Sequence, residues 1–333
     1  MSAAEVLLEV EDLSISFPTD EGLARAVQGV SFALRAGETL GLVGESGSGK
    51  SMTAMAIMGL LPTSAIVEGS VRFRGRELLG LSESRYREIR GSDIAVVFQD
   101  ALTALNPVMT VGDQLAEAVR VHRPETTAAQ RRARAVELLD IVGIPSPHER
   151  VNRFPHEFSG GMRQRVMIAT SIANEPDLLI ADEPTTALDV TVQAQILDVL
   201  REVQARTGTT VLLITHDLGV VAGVADRVVV MYAGGVVEAA DIEPLFYDTA
   251  HPYTAGLLAS LPRLDRRSRD QRLYQIPGQP PAATNWPQGC RFAPRCAHVR
   301  HGLCDEDIPP TVEVSRGHTA HCARVDAWRT EVE

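Results

Sequence analysis

The 333-residue sequence predicts an α/β protein, and two observations favour this class. Short apolar strands alternate with helical stretches: LLIADEP precedes a helical pattern at residues 193–205, and TVLLITHD precedes another at residues 218–225. This alternation is typical of a parallel sheet covered by helices on both faces. Apolar residues make up 44% of the chain and charged residues 23%, a composition that suits a sizeable globular core rather than a disordered chain.

The N-terminal third is expected to begin with strands. Alternating apolar positions in VLLEVEDLSISF and AVQGVSFALRAGE predict two strands joined by a turn at residues 20–22. The next stretch, ETLGLVGESGSGKSMTAMAIMGLL, predicts a short apolar strand, a glycine-rich turn and a helix. This order of elements places the turn at the carboxyl end of a strand, where open α/β sheets bind ligands.

Two regions depart from this alternation. Residues 103–174 contain helical patterns without strands, which indicates an inserted helical subdomain. After about Tyr247 the periodicity is lost, prolines recur and all four cysteines follow. We therefore expect a core of residues 1–247 and a C-terminal extension, residues 248–333, that is too polar to fold alone. One apolar face is expected in QRRARAVELLDIVGI, formed by Ala135, Leu138, Leu139 and Val142.

Charge and hydropathy exclude some classes of function. The formal net charge of −11 argues against a protein that neutralises nucleic-acid phosphates, so no nucleic-acid partner is expected. No run approaches the roughly 18 uncharged apolar residues of a membrane span. The N-terminus MSAAEVLLEVEDLS lacks the basic start and apolar stretch of a secretory signal. The cytoplasm is the compartment these patterns predict.

The glycine-rich turn GESGSGKS fits the phosphate-binding pattern G-x-x-x-x-G-K-[ST]. Its residues are Gly44, Glu45, Ser46, Gly47, Ser48, Gly49, Lys50 and Ser51. The glycines let backbone N–H groups converge on phosphate oxygens, and the helix N-terminus adds partial positive charge. Lys50 is expected to reach the β- and γ-phosphates and the Ser51 hydroxyl to bind Mg²⁺. The alternative is a glycine-rich turn without a ligand, which the flanking strand and helix disfavour.

A pair of acidic residues ends the strand LLIADE. Asp182 is expected to hold Mg²⁺ and Glu183 to polarise the attacking water. Taken alone, an adjacent acidic pair at a strand end is more often a solvated turn. The phosphate-binding pattern upstream favours the catalytic interpretation.

The segment FSGGMRQR, residues 158–165, resembles the signature motif of ATP-binding cassette (ABC) ATPases. Phe158 departs from it, since the family more usually has Leu there, and this departure is expected to affect packing more than chemistry. Ser159 is expected to cap a helix whose first residues, Gly160 and Gly161, expose backbone N–H groups as a second anion site. The resemblance implies a mixed sheet with flanking helices and an antiparallel β subdomain. It also implies a head-to-tail pair in which Ser159 and Gly161 of one subunit cap the ATP γ-phosphate held by Lys50 of the other.

Four further residues resemble family motifs in the expected order. Gln99 in VVFQD resembles the Q-loop residue that touches Mg²⁺ or water, and Asp189 in TALD resembles the D-loop residue. His216 in LLITHD resembles the switch histidine that contacts the γ-phosphate. Phe17 in SISFP resembles the aromatic residue that stacks on adenine. A lone histidine is usually structural and a lone phenylalanine usually lies in a core. The assignment of these residues therefore depends on finding all the motifs together, in the order in which the family has them.

Longer phrases resemble one branch of the family, the ATPase subunits of oligopeptide and dipeptide importers: FQDALTALNPVMTVGDQL, MYAGGVVE and FYDTAHPYTAGLLASLP. Ala101 departs from it, because the branch usually has Pro there. The resemblance implies a second ATPase subunit, which is identical or related to this chain. It also implies two transmembrane permease subunits, which residues 100–118 would contact, and an extracytoplasmic substrate-binding protein. The chain would then be peripheral to the cell membrane, on its cytoplasmic side. Nickel import is the rival substrate, and a non-transport ABC ATPase acting on ribosomes or nucleic acid is the rival class.

The cysteines Cys290, Cys296, Cys304 and Cys322 lie in one short, proline-rich segment. Four thiolates suit a tetrahedral Zn²⁺ site or an iron–sulfur cluster, although C-x-x-C pairs are absent from the segment. The alternative is four independent buried thiols. Four nearby histidines are further candidate ligands: His298, His301, His318 and His321. Resemblance to the importer branch implies a 4Fe–4S cluster, either as a structural staple or as a redox sensor.

Overall fold

The computed structural model describes residues 5–98, 104–186, 188–261 and 274–332, and the chain divides into two compact units. The first unit comprises residues up to Leu7, residues 34–39 and residues 79–214. The second unit comprises residues 8–33, residues 40–78 and the chain from Thr215 onward. Both units are therefore assembled from segments that are distant in sequence.

The described strands, in chain order, are β1 (Val6–Thr19), β2 (Gly22–Arg35), β3 (Thr39–Val43), β4 (Ile66–Phe73), β5 (Arg76–Glu77), β6 (Ile94–Val97), β7 (Leu178–Asp182), β8 (Thr210–Thr215), β9 (Arg227–Tyr232), β10 (Gly235–Asp241), β11 (Val312–Ser315) and β12 (His318–Ala320). The described helices are α1 (Lys50–Ile57), α2 (Glu83–Ile89), α3 (Val111–His122), α4 (Ala128–Ile141), α5 (Pro147–Arg150), α6 (Gly160–Ser171), α7 (Val190–Thr207), α8 (Leu218–Ala222), α9 (Ile242–Tyr247), α10 (Pro252–Ala259) and α11 (Val325–Val332).

In the first unit, β6, β7 and β8 form parallel pairs, with Ile94 opposite Leu178 and Leu178 opposite Thr210. Residues Leu178, Leu179, Ile180 and Ala181 are completely buried, as a strand covered on both faces requires. Helices α3 to α6 follow one another between β6 and β7. The apolar face predicted for α4 is confirmed, because Ala135, Leu138, Leu139 and Val142 are all fully buried.

Helix starts in the first unit follow from local side-chain chemistry. The Thr110 hydroxyl accepts a hydrogen bond from the backbone N–H of Asp113 at the start of α3. Thr127 and Gln130 form a reciprocal capping box at the start of α4. These caps satisfy N–H groups that have no partner inside the helix, and they explain why helices begin at these residues.

The second unit contains an antiparallel sheet in the order β2-β1-β4-β5. The predicted hairpin at residues 20–22 is confirmed, since β1 ends at Thr19 and β2 begins at Gly22. Strand β1 also pairs with β4, with Leu8 opposite Phe73, and the register shifts between Glu11 and Ser14. This bulge lets one strand follow the twist of its neighbour.

The remaining strands of the second unit lie in the order β11-β12-β10-β9-β3. Strands β3 and β9 are parallel, whereas β9 and β10, β10 and β12, and β12 and β11 are antiparallel, so this sheet is mixed. Residues after Tyr247, where the sequence shows no clear periodicity, nevertheless form β11, β12, α10 and α11. Strand β12 has three residues, too few to show a period, and its partner β10 lies about 80 residues earlier.

The C-terminal segment also has a small core. Ala250, Ala320 and Val325 pack together with Cys322 at the edge of the cluster. The Trp328 indole N–H donates to the carbonyl oxygen of Ala250 at 3.0 Å. These contacts explain how a polar segment becomes ordered against earlier parts of the chain.

Within the residues that the structure describes, helices are too short or too polar for a membrane span. The longest of them, α7, buries Ile196, Val199, Leu200 and Val203 on one face.

Candidate functional site

The predicted phosphate-binding loop connects β3 to α1 in the second unit. Every residue of β3 is buried, and Lys50 begins the helix. Gly49 has a φ of 102°, and a Cβ there would lie 2.7 Å from the carbonyl oxygen of Ala26. A Cβ at Gly44 would lie 2.1 Å from the carbonyl oxygen of Met231. The loop conformation therefore requires glycine at these two positions.

Lys50 is folded back over this loop. Its side chain is buried, with 4% of the residue exposed. The Nζ atom donates to the carbonyl oxygens of Gly44 at 2.6 Å and Glu45 at 3.0 Å. The ammonium group and the N-terminus of α1 thus concentrate positive charge at the loop backbone, which is the arrangement that binds phosphate.

Two other predicted residues belong to the second unit. His216 is exposed immediately after β8, and the Asp217 carboxylate caps α8 by accepting from the Gly219 N–H at 2.7 Å. Phe17 is half-buried on β1, two residues beyond Ile15, which is fully buried on the same face. The Phe17 ring therefore continues a row of core positions toward the end of that strand.

The acidic pair lies at the carboxyl end of β7 in the first unit. Asp182 and Glu183 are both half-buried. Glu183 has a φ of 49°, in the left-handed region that favours glycine, and its N–H donates to the carbonyl oxygen of Ile214 at 2.9 Å. The Thr186 hydroxyl donates to a Glu183 carboxylate oxygen at 2.8 Å. A strained backbone held by tertiary contacts is typical of functional sites, and the sequence does not reveal it.

The segment that resembles the ABC signature lies at the start of α6, also in the first unit. Ser159 caps this helix: its Oγ accepts from the Met162 N–H at 3.3 Å, as predicted. The space around Gly160 is open, whereas a Cβ at Gly161 would lie 2.7 Å from Val192. Phe158 is buried with 3% exposed, which agrees with a role in packing.

Asp189 caps α7, and its carboxylate accepts from the Val192 N–H at 2.9 Å. Gln99 lies outside the described residues. Of the predicted nucleotide-site residues, the second unit contains the loop of residues 44–51, Phe17 and His216, and the first unit contains Asp182, Glu183, Ser159, Gly160, Gly161 and Asp189.

The four cysteines line one small cavity in the second unit. Cys290 and Cys304 are joined by a hydrogen bond from the N–H of Cys290 to the carbonyl oxygen of Cys304, at 2.8 Å. All four thiols are free, so they are available to a ligand. His251 and His298 line the same cavity. The structure thus brings together thiols that are separated by up to 32 positions in the sequence.

Burial disfavours the thiolate form of three of these cysteines, and it raises the pKa of Cys290 above its ordinary value. Burial raises the pKa of Cys296 to about 11 and that of Cys322 to about 12, and the charge of the neighbouring cysteines acts in the same direction. Four convergent soft donors have the chemistry that Zn²⁺ or an iron–sulfur cluster requires. However, among the side chains that the structure describes, no group of three or more His, Cys, Asp or Glu has the arrangement of a metal site.

Comparison with known proteins identifies the family. Residues 27–186 match the ABC transporter family, and residues 237–304 match the family described as "Oligopeptide/dipeptide transporter, C-terminal region". The oligopeptide transport ATP-binding protein OppD of Bacillus subtilis is 53% identical over 314 residues, which cover 94% of this chain and 87% of that protein. The chain belongs to the oligopeptide and dipeptide transport ATP-binding proteins.

A second relative in this family is longer. The oligopeptide transport ATP-binding protein OppD of Mycobacterium bovis is 56% identical over 320 residues, covering 96% of this chain and 52% of that protein. The chain therefore spans about half the length of this relative. Among solved structures, a dimeric post-hydrolysis state of the ATP-binding cassette MJ0796 bound to ADP and Pi has a TM-score of 0.63 and 28% identity, covering 71% of this chain and 99% of that one.

Sequence reasoning missed two residues that contact the loop of residues 44–51. The Tyr253 hydroxyl accepts a hydrogen bond from the Glu45 N–H at 2.9 Å. The Arg295 guanidinium pairs with the Glu45 carboxylate. Both partners lie more than 200 residues after Glu45, and neither position carries a motif that would point to the loop. The position of Arg295 directly before Cys296 is the one signal in the sequence that could have drawn attention to it.

Proposed function

We propose that this chain binds and hydrolyses ATP and that hydrolysis energises the import of oligopeptides or dipeptides across the cell membrane. The observation that carries the proposal is the glycine-dependent loop with Lys50 folded over it at the start of α1. Relatives named as oligopeptide transport ATP-binding proteins match this chain over almost its whole length, which supports the transport role.

Residues 44–51 would surround the phosphates of ATP. Backbone N–H groups of the loop donate to phosphate oxygens, and Lys50 places its charge at the β- and γ-phosphates. Ser51, Asp182 and Gln99 would hold Mg²⁺, because hydroxyl, carboxylate and amide oxygens are the ligands this ion prefers. When bound, Mg²⁺ neutralises phosphate charge. The Phe17 ring would stack on adenine.

Hydrolysis requires a positioned water molecule. Glu183 would orient and polarise this water, since its carboxylate is held by Thr186 and by the constrained backbone of the residue. His216 would contact the γ-phosphate and Gln99 would report the nucleotide state. These roles depend on positioning and electrostatics rather than on covalent chemistry, as is general for phosphoryl transfer.

A second ATPase subunit, identical or related, would complete each site. Ser159, Gly160 and Gly161 would offer the N-terminus of α6 to the γ-phosphate held by the other subunit, and Asp189 would lie close to that boundary. The dimeric state described for the ATP-binding cassette MJ0796 supports this arrangement. ATP would then favour the closed dimer, and hydrolysis would release it.

The wider assembly follows from the same proposal. Two permease subunits would bind the chain at the cytoplasmic side of the cell membrane, and an extracytoplasmic substrate-binding protein would deliver the peptide. Residues 1–247 would form the ATPase domain, with an inserted helical subdomain at about residues 103–174. Residues 248–333 would form the extension typical of this branch, and the match of residues 237–304 supports that division.

Inactivation of the chain in its native cells tests the transport role. Replacing Glu183 by Gln in the chromosome is expected to abolish uptake of labelled tripeptides while uptake of labelled free amino acids and of nickel continues. Loss of nickel uptake with normal peptide uptake would favour nickel as the substrate. Normal uptake of both solutes, with altered ribosome profiles, would instead favour a non-transport ABC ATPase.

We further propose that Cys290, Cys296, Cys304 and Cys322 hold a 4Fe–4S cluster, with Zn²⁺ as the alternative metal. The convergence of four free thiols on one cavity supports this assignment. Because burial raises the pKa of Cys290, Cys296 and Cys322, loading would release protons from these thiols as thiolates form. Either metal would cross-link the segment between residues 290 and 322. A 4Fe–4S cluster could also exchange an electron if the segment senses redox state.

Iron analysis tests this assignment. Protein purified without oxygen is expected to be brown, with about four iron and four sulfide per chain, and Cys296→Ser is expected to lower the iron content. Arg300→Ala is the matched control, since Arg300 is an exposed residue of the same segment and is not a candidate ligand. Colourless protein that contains zinc but no iron would contradict the cluster and favour the alternative.

A further inference from the structure

The phosphate-binding loop carries a negative charge of its own. Glu45 follows Gly44 directly, and its side chain is 26% exposed. A carboxylate in this loop would repel phosphates bound there, because like charges repel each other strongly in a partly desolvated site. The loop therefore functions best when this carboxylate is neutralised by a partner.

Arg295 is that partner. Its Nη1 atom lies 2.8 Å from one Glu45 carboxylate oxygen and its Nη2 atom lies 3.1 Å from the other. The side chain of Arg295 is only 6% exposed. A two-pronged contact with a buried guanidinium fixes both the charge and the orientation of the carboxylate, which a lysine could not do as well.

Arg295 is itself held on every side of its guanidinium. Nε donates to the carbonyl oxygen of Pro277 at 2.9 Å, and Nη1 donates to the Tyr232 hydroxyl at 3.3 Å. Burial lowers the pKa of Arg295, but the hydrogen bonds with Glu45 and Tyr232 outweigh it and raise the pKa overall. The guanidinium is therefore a permanent, fixed charge.

Aromatic residues next to Arg295 hold the backbone of the same loop. The Tyr253 hydroxyl that accepts from the Glu45 N–H belongs to a buried aromatic cluster. The Tyr232 and Tyr253 rings lie 4.6 Å apart, and Phe292 packs edge-on against both at 5.3 and 5.4 Å. Phe292 and Arg295 lie between Cys290 and Cys296, so the cysteine segment forms part of the support of the loop.

We propose that Arg295 is a positioning residue of the phosphate-binding loop, which neutralises and orients Glu45 and thereby sets the affinity for ATP. This inference rests on the proposed binding of ATP at residues 44–51. It assigns the cysteine segment a direct role in the nucleotide site. Loss of order around Cys296 would release Arg295 and weaken nucleotide binding.

A double-mutant cycle in the full chain tests this role, with a non-hydrolysable ATP analogue and Mg²⁺ as the probe in calorimetry. Arg295→Ala is expected to weaken binding about tenfold, because Glu45 is left unpaired beside the phosphates. Glu45→Gln in the Arg295→Ala background is expected to restore the affinity to within about threefold of the parent chain. In hydrolysis assays the KM for ATP should rise while kcat stays within about twofold.

The controls separate positioning from folding. Arg300→Ala removes an exposed arginine of the same segment and should leave the affinity unchanged. Arg295→Lys keeps the charge but loses the two-pronged contact, so its affinity should lie between those of the parent chain and of an uncharged variant. It replaces Arg295→Ala in the test if Arg295→Ala does not fold. An unchanged affinity in Arg295→Ala, or a double variant as weak as the single one, would overturn the inference. A parent chain that binds no ATP would instead refute the proposed function.

Discussion

Replacing Glu183 by Gln is expected to slow ATP hydrolysis by about 10²- to 10⁴-fold while ATP binding is retained, because the amide cannot take a proton from the attacking water. Glutamine has the same shape, and its amide oxygen can still accept the hydrogen bond that the Thr186 hydroxyl donates at 2.8 Å. The change therefore removes the base without disturbing the strand end. Steady-state phosphate release and nucleotide titration of the same preparation measure the two effects separately.

The Glu183→Gln variant is also expected to accumulate as an ATP-bound dimer. Size-exclusion chromatography with and without Mg-ATP detects this dimer. Asp198→Asn is the matched control, since Asp198 is an exposed acid of α7 that pairs with Arg201 on the same helix. It should hydrolyse ATP at the parent rate. If Glu183→Gln also retains the parent rate, Glu183 is not the base.

Replacing Lys50 by Ala is expected to weaken ATP binding by about 10- to 150-fold, which corresponds to the roughly 1.5–3 kcal/mol of a charged hydrogen bond. Lys50 is the only lysine in the chain, so another lysine cannot substitute for it. Its Nζ atom already lies at the loop backbone, 2.6 Å from the carbonyl oxygen of Gly44, where a phosphate would meet it. Calorimetry with ATP and Mg²⁺ measures the change.

Lys50→Met provides the comparison for packing, because its unbranched side chain fills the buried space of the lysine stem without the charge. Both variants should unfold at similar temperatures and both should bind ATP weakly. Parent-like affinity in Lys50→Met would mean that the stem, and not the ammonium, supports the loop.

Much of the site could be predicted because its signals are local. The spacing of glycines around Lys50, the acidic pair after an apolar strand and the Ser159 helix cap each depend on neighbours within a few residues. The same holds for the hairpin at residues 20–22 and for the buried face of α4. The structure agrees at these positions because backbone geometry and side-chain caps are short-range effects.

The C-terminal segment could not be predicted in this way. Strand β12 is too short for a period, and its partner β10 is remote in sequence. The left-handed backbone of Glu183 likewise depends on a contact with Ile214 rather than on its own residue type, since glutamate has no preference for that region.

Local sequence patterns were enough to predict a glycine-rich loop around Lys50, an acidic strand end, a helix capped by Ser159 and a cluster of four cysteines. The surroundings of these features depend on contacts between residues that are far apart in the sequence. The tertiary structure brings Arg295 to Glu45 across 250 positions and places the cysteine segment against the loop. The physical reason is that a buried charge needs a partner of opposite sign close in space, and the distance along the chain does not limit which residue supplies it.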